Sequence, residues 1–202
     1  MGYRGILERI RRAVERTDYL TPTSHIADPR QQEALADLAA LMRTPGFDAS
    51  DGISLVREAH RDGRLDRVKM LSALGVIAAS PQVRDYAEAF RLASQQELAA
   101  LDLGGDGLDA NLASAYRHRG VVSYLMGHYE VALESFTAAL ERERTAENLG
   151  NVLCALVHED PESAAELLRD VRDGFPTEIR TALEERVRED GDLKALRNVL
   201  AE

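Results

Sequence analysis

The chain has 202 residues, 45% of them hydrophobic and 30% charged, with a formal net charge of −10, one cysteine and no tryptophan. That length holds one domain with a real core or one short helical solenoid, and the composition belongs to folded rather than disordered chains. The acidic balance repels phosphate backbones and argues against nucleic acid as a partner, while the single Cys154 rules out an internal disulfide and fits a reducing, cytoplasmic setting.

No apolar run reaches the length of a membrane span. The stretch from Met1 to Arg16 has Arg scattered through it and does not read as a signal peptide. Residues 4–16 predict a first helix: Leu7, Ile10 and Val14 fall on one face with Ile6 and Ala13 beside them, and Arg9, Arg12 and Arg16 on another. With five Arg and two Glu, residues 1–16 are basic within an acidic protein. Such a helix either docks on an acidic partner or anionic membrane surface, or is a terminal helix with a solvated basic side, the commoner fate of a charge run. Turn formers over 18–28 predict a linker.

Asp28-Pro29 then opens a helix by the N-cap-plus-proline pattern, with Leu35, Leu38, Leu41 and Met42 on its apolar face and a stop near Thr44-Pro45-Gly46. Ser50 or Asp51 starts another, carrying Ile53, Leu55, Val56 and Ala59, which Asp62-Gly63 breaks. Helical spacing resumes through Leu65, Val68, Leu71 and Leu74 to Ile77, and Ser80-Pro81 predicts the start of a helix reaching about Leu101. After a glycine-rich loop from Leu103 to Leu108, helices are predicted from Asp109 to Met126 and from His128 to Arg144. Thr145 caps the next, ending near His158, and Asp160-Pro161 opens one that stops at Gly174-Phe175-Pro176. The last two cover 177–189 and 192–201, split by Gly191. No segment alternates with period two. The expected fold is all-α, built from antiparallel helix pairs joined by short turns.

The chain also repeats itself. Tyr86-Ala87-Glu88-Ala89-Phe90 matches Tyr129-Glu130-Val131-Ala132-Leu133, and Pro161-Glu162-Ser163-Ala164-Ala165 is a weaker third copy. The anchoring alanines Ala89, Ala132 and Ala164 stand 43 and 32 residues apart. Within 113–144, Gly120, Gly127, Tyr129, Ala132, Phe136 and Ala139 follow the order and spacing of one tetratricopeptide repeat, whose period is about 34 residues, and the segment resembles that family. Small Gly120, Ala132 and Ala139 would let two helices approach while Tyr129 and Phe136 fill the space between them. Asn148-Leu149-Gly150-Asn151 is similar to the start of a further repeat, but Gly150 follows Gly120 by 30 residues, and Arg144 stands where the family often has proline. The resemblance covers 113–176 fairly, 64–99 weakly and the first 60 residues hardly. It implies a short tetratricopeptide-like solenoid over 63–202 with C-terminal capping helices, continuous with divergent N-terminal helices over 1–62.

Motifs for chemistry are sparse. His25, His60, His118, His128 and His158 form no His-x-x-x-His or HExxH pattern, and there is no phosphate loop, GxSxG or CxxC. His158-Glu159-Asp160 reads as a helix end followed by a cap. In the loop LDLGGDGLD, Asp102, Asp106 and Asp109 lack the EF-hand spacing; Asp106 is expected to cap the next helix and Asp109 to complement its dipole. Cys154, inside the apolar run Val152 to Val157, is expected in the core, with no basic neighbour in sequence to activate it. No cofactor or metal is expected.

The resemblance implies a groove lined by the first helix of each pair: Arg117, His118, Val121 and Tyr124 from one helix, Asn148 and Asn151 from the next. Arg and His pair with carboxylates, and Asn amides grip a peptide backbone. The competing reading has Tyr124 and the two Asn packing between neighbouring helices. Val121 stands where the family's carboxylate clamp has Asn, so that ligand is not implied. The expected function is a non-enzymatic adaptor binding a peptide or helix of another protein. Two alternatives stay open: a self-associating regulatory or structural subunit, hence a homo-oligomer, and an enzyme whose site joins residues distant in sequence.

Overall fold

A computed structural model describes residues 3–15 and 28–201. Arg16, His25 and the linker expected over 18–28, apart from Asp28, lie outside the described residues. Among the described residues there are ten α-helices, a C-terminal 3-10 helix and no strand. In chain order they are α1 (Tyr3–Glu15), α2 (Pro29–Met42), α3 (Ala49–Arg61), α4 (Arg67–Ala79) and α5 (Tyr86–Leu103), then α6 (Leu108–Leu125), α7 (Tyr129–Arg142), α8 (Ala146–Glu159), α9 (Pro161–Gly174) and α10 (Thr177–Glu189), with the 3-10 helix over Gly191–Ala201.

Side-chain caps account for most helix starts, because the first turn of a helix leaves backbone N–H groups unpaired. Asp28 accepts from Arg30 N–H ahead of Pro29, Asp48 from Ser50, Asp66 from Lys69, Thr145 from Asn148 and Asp160 from Ser163. Three expected starts differ. The helix expected from Ser50 or Asp51 begins at Ala49, with Asp48 as its cap. Ser80 closes α4 instead of opening α5; its buried hydroxyl has no hydrogen bond among the described residues. Arg84 turns through a left-handed conformation (φ 54°), so no helix runs on from Pro81, and α5 begins after Asp85, which accepts from Glu88 N–H at 3.0 Å. Asp106 does not cap α6. Gly107 holds that position with no side-chain bond, while Asp109 stands in the first turn of α6 as expected and also receives Arg142 of α7 at 2.9 Å.

Successive helices from α2 to α9 pack on one another, most extensively α6 on α7 and α4 on α5. Alternate helices touch as well: α4 meets α6, α6 meets α8, and α8 meets α10, forming one row. The 3-10 helix closes the C-terminal end against α8, α9 and α10. It buries Leu193, Leu196 and Val199, an apolar spacing of three that matches three residues per turn. Among the described residues the buried apolar side chains form three clusters. Ala34, Leu38, Val56 and Ala59 share a cluster with Leu65 and Ile77 across residue 62, and Met70 and Leu74 join it to the cluster of α4–α6. The third cluster holds α7 to the C-terminus together with Ile6, Ile10 and Ala13 of α1. Thus α1 packs on α7, far along the chain.

Gly120 shows why the α6–α7 pair is close. A Cβ built there would stand 2.5 Å from the Phe136 ring, so only glycine admits that ring, which is 3% exposed. Ala132 and Ala139 are fully buried on the same helix pair. Tyr129, half-buried, meets Tyr124 of α6 edge-on at 5.2 Å and also stacks on His158 of α8, ring centroids 4.0 Å apart and planes 3° from parallel.

Candidate protein-interaction face

The six residues expected to line a groove all sit on α6 and α8, neighbours in the row, but most are occupied by contacts within the chain. Arg117 Nη1 donates to Asn148 Oδ1 at 3.2 Å and pairs with Glu147 at 3.4 Å, linking α6 to α8. Tyr124 does the same one end further on: its hydroxyl lies 3.0 Å from His158 Nε2, and its ring meets Tyr129 and His158 edge-on. Burial, with Asp192 beside it, pushes the Tyr124 hydroxyl's pKa well above the ordinary tyrosine range.

His118 turns the other way, toward α4 and α5. Its ring packs where Gly75 leaves room, 3.5 Å from a Cβ built there, and its Nδ1–H donates to Gln96 Oε1 at 3.0 Å. An amide oxygen only accepts, which fixes that tautomer. Gln96 is fully buried and passes the chain on to Ser114 at 3.0 Å. Burial, reinforced by the Arg117 charge, pulls the His118 pKa down from 6.5 to about 4, so the ring is neutral at physiological pH.

Asn148 and Asn151 are both buried and pack between neighbouring helices, as the competing reading of these positions has it. Asn148 has no exposed surface; its Nδ2 donates to Glu143 O at 2.7 Å while its backbone N–H is capped by Thr145. Asn151 is 8% exposed, and its Oδ1 accepts from Arg186 Nη2 at 2.7 Å. The physical reason is shared: a buried amide needs partners, and the neighbouring helix ends and α10 supply them. Val121, 37% exposed, is one of the apolar residues that the row leaves open to solvent, with Val76 of α4 and Leu125 of α6.

Arg186 was not legible as part of this region. From α10 it spans α8, donating to Glu147 O at 2.9 Å as well as to Asn151, and it lies across Gly150, where a Cβ would stand 2.6 Å from its Cδ. The available signal was Gly150 itself, since a glycine inside a helix marks a close approach. Arg186 also reaches Cys154 Sγ at 3.9 Å, the basic neighbour that local sequence lacks. Burial outweighs it and, with Asp190 nearby, pushes the thiol pKa up to about 11, so Cys154 is a protonated core residue.

No family model matches this chain, and no curated protein or solved structure matches it. Among the described residues, no helix is long and apolar enough to cross a membrane, and no three His, Cys, Asp or Glu side chains cluster as a metal site.

On this face, then, Arg117 and the Tyr124–Tyr129–His158 cluster form a partly exposed strip with Val121 between them. Arg117 keeps a quarter of its side chain in solvent. A guanidinium, a valine and a tyrosine edge on one helix offer charge pairing, apolar contact and hydrogen bonding within three turns.

Proposed function

We infer that this chain is a non-enzymatic protein-interaction scaffold: a short tetratricopeptide-like array of helix pairs that presents the α6–α8 strip to a peptide or helix of another protein. The observation that carries the reading is the row of alternate helices, α4 on α6, α6 on α8 and α8 on α10, with α5, α7 and α9 as second members of the pairs. The α6–α7 pair supports it through the Gly120–Phe136 contact, as does the partly exposed trio Arg117, Val121 and Tyr124. His118, Asn148 and Asn151 serve this reading as struts between helices, holding the strip in place. The test is to co-purify the partner from the native host and titrate it against wild type and Val121→Glu. Because Val121 is exposed, the variant keeps its thermal stability; its affinity is expected to fall at least tenfold, about 1.4 kcal/mol. Unchanged affinity counts against the strip.

A second reading, self-association, is favoured by one observation. Leu98 and Leu101, one turn apart on α5, are 63% and 54% exposed. Large apolar side chains grouped in this way mark contact surfaces. Light scattering decides it: a strict monomer at high concentration removes this reading.

A further inference from the structure

The N-terminal helix sits in what is chemically a complete receptor for a helix. Ile6, Ile10 and Ala13, each under 5% exposed, enter the same core as Leu140, Leu156 and Leu167 of α7, α8 and α9. Acidic side chains flank this apolar floor. Glu141 takes both nitrogens of the Arg9 fork at 2.8 and 2.6 Å, a two-point charged contact that is among the stronger kinds of hydrogen bonding. On the α9 side Glu166 stands 3.6 Å from Arg11. At the C-terminal end of α1, buried Arg144 donates from Nε to Ala13 O at 3.1 Å, satisfying one of the carbonyls that a helix end leaves unpaired and complementing its dipole. Floor, flanks and end stop all belong to residues more than a hundred positions away in sequence. Beside α9 the fit is open along a seam, where a cavity of about 350 Å³ is lined by Arg11, Val14, Leu167, Asp170 and Phe175, and a second cavity lies on the α7 side among Arg9, Arg12, Ala13, Glu141 and Arg144.

We propose that the groove of α7, α8 and α9 is a docking site for an amphipathic, arginine-bearing helix of a partner protein, and that α1 occupies it in cis. The partner helix presents apolar side chains at i, i+4 and i+7, as Ile6, Ile10 and Ala13 do, with Arg at i+3 for Glu141. A bulkier residue at the place of Val14 would fill the open seam and gain contacts that α1 forgoes. Because α1 belongs to the same chain as the groove, its docking is intramolecular and is favoured by its effective concentration over that of a separate helix. A partner must therefore outcompete it, so the site is attenuated rather than closed. This site is separate from the α6–α8 strip, and its failure would leave that reading untouched.

The test uses the full-length chain and a labelled peptide of residues 3–15. Ile6→Glu with Ile10→Glu expels α1, and the peptide is expected to bind this variant at least tenfold more tightly than wild type. Adding Glu141→Arg should cut that binding at least tenfold, and a peptide carrying Glu in place of Arg9 should restore it. If the double variant unfolds, Arg9→Glu alone loosens α1 by setting two carboxylates together and carries the same comparison. Equal binding to wild type and variant, or none to a variant that keeps its helix content and melting temperature, overturns the proposal. So does light scattering that shows a dimer exchanging α1 between copies, for the occupant is then a second copy of this chain.

Discussion

Gly120 and Phe136 form the contact on which the α6–α7 pair turns. Gly120→Ala would force a methyl to within 2.5 Å of the Phe136 ring, and the ring is buried with nowhere to move. Overpacking of this kind costs about 1–3 kcal/mol; thermal or urea denaturation of the variant measures it, with the upper part of that range expected. His118 makes a pH prediction. Its pKa is about 4 in the folded chain and 6.5 when unfolded, so between those values the unfolded chain binds the extra proton. The stability from this residue is fully present above pH 6.5 and is lost as pH falls toward 4, a change on the order of 3 kcal/mol. Denaturant midpoints across that window should drop more in wild type than in His118→Gln, which cannot titrate. The importance of Gly120 was readable from the repeat pattern. The direction of His118 was not, because Gly75 and Gln96, the residues that receive it, lie on other helices.

Helix boundaries depend on which residue actually meets the unpaired N–H groups. Asp160 accepts from Ser163 through both backbone and hydroxyl, at 3.1 and 2.7 Å. Asp160→Ala is expected to cost about 1 kcal/mol, whereas Asp106→Ala, at a position that caps nothing, should stay within about 0.5 kcal/mol of wild type; chemical denaturation compares the two. Most starts and stops were legible because Asp or Thr stood just before an apolar stripe and proline followed at Asp28 and Asp160. Ser80-Pro81 has the same local form and misleads, since the left-handed turn at Arg84 and the cap at Asp85 act beyond the dipeptide. The 3-10 winding of the last segment is written in Leu193, Leu196 and Val199, three apart, yet that spacing also suits an α-helix, and only packing against α8, α9 and α10 separates the two.

For the whole molecule, sequence periodicity suffices for an all-helical stack, and the order of the helices along it follows from short connections. What periodicity cannot supply is contact between segments far apart. The basic face of α1 illustrates this: from sequence it belongs to a solvated helix or one that docks on an acidic surface, and the acidic surface turns out to be Glu141 and Glu166 of the same chain. The asparagines of α8 illustrate it again, since Arg186 and Glu143 O claim them before any ligand can. The proposed scaffold role rests on α6 and α8 offering their shared strip to another polypeptide, and hydrogen exchange read by mass spectrometry, with and without the co-purified partner, tests this most directly. The account predicts slower exchange over residues 108–125 and 146–159 on binding. A bound partner that leaves both segments unchanged and protects only helices outside this row would contradict it.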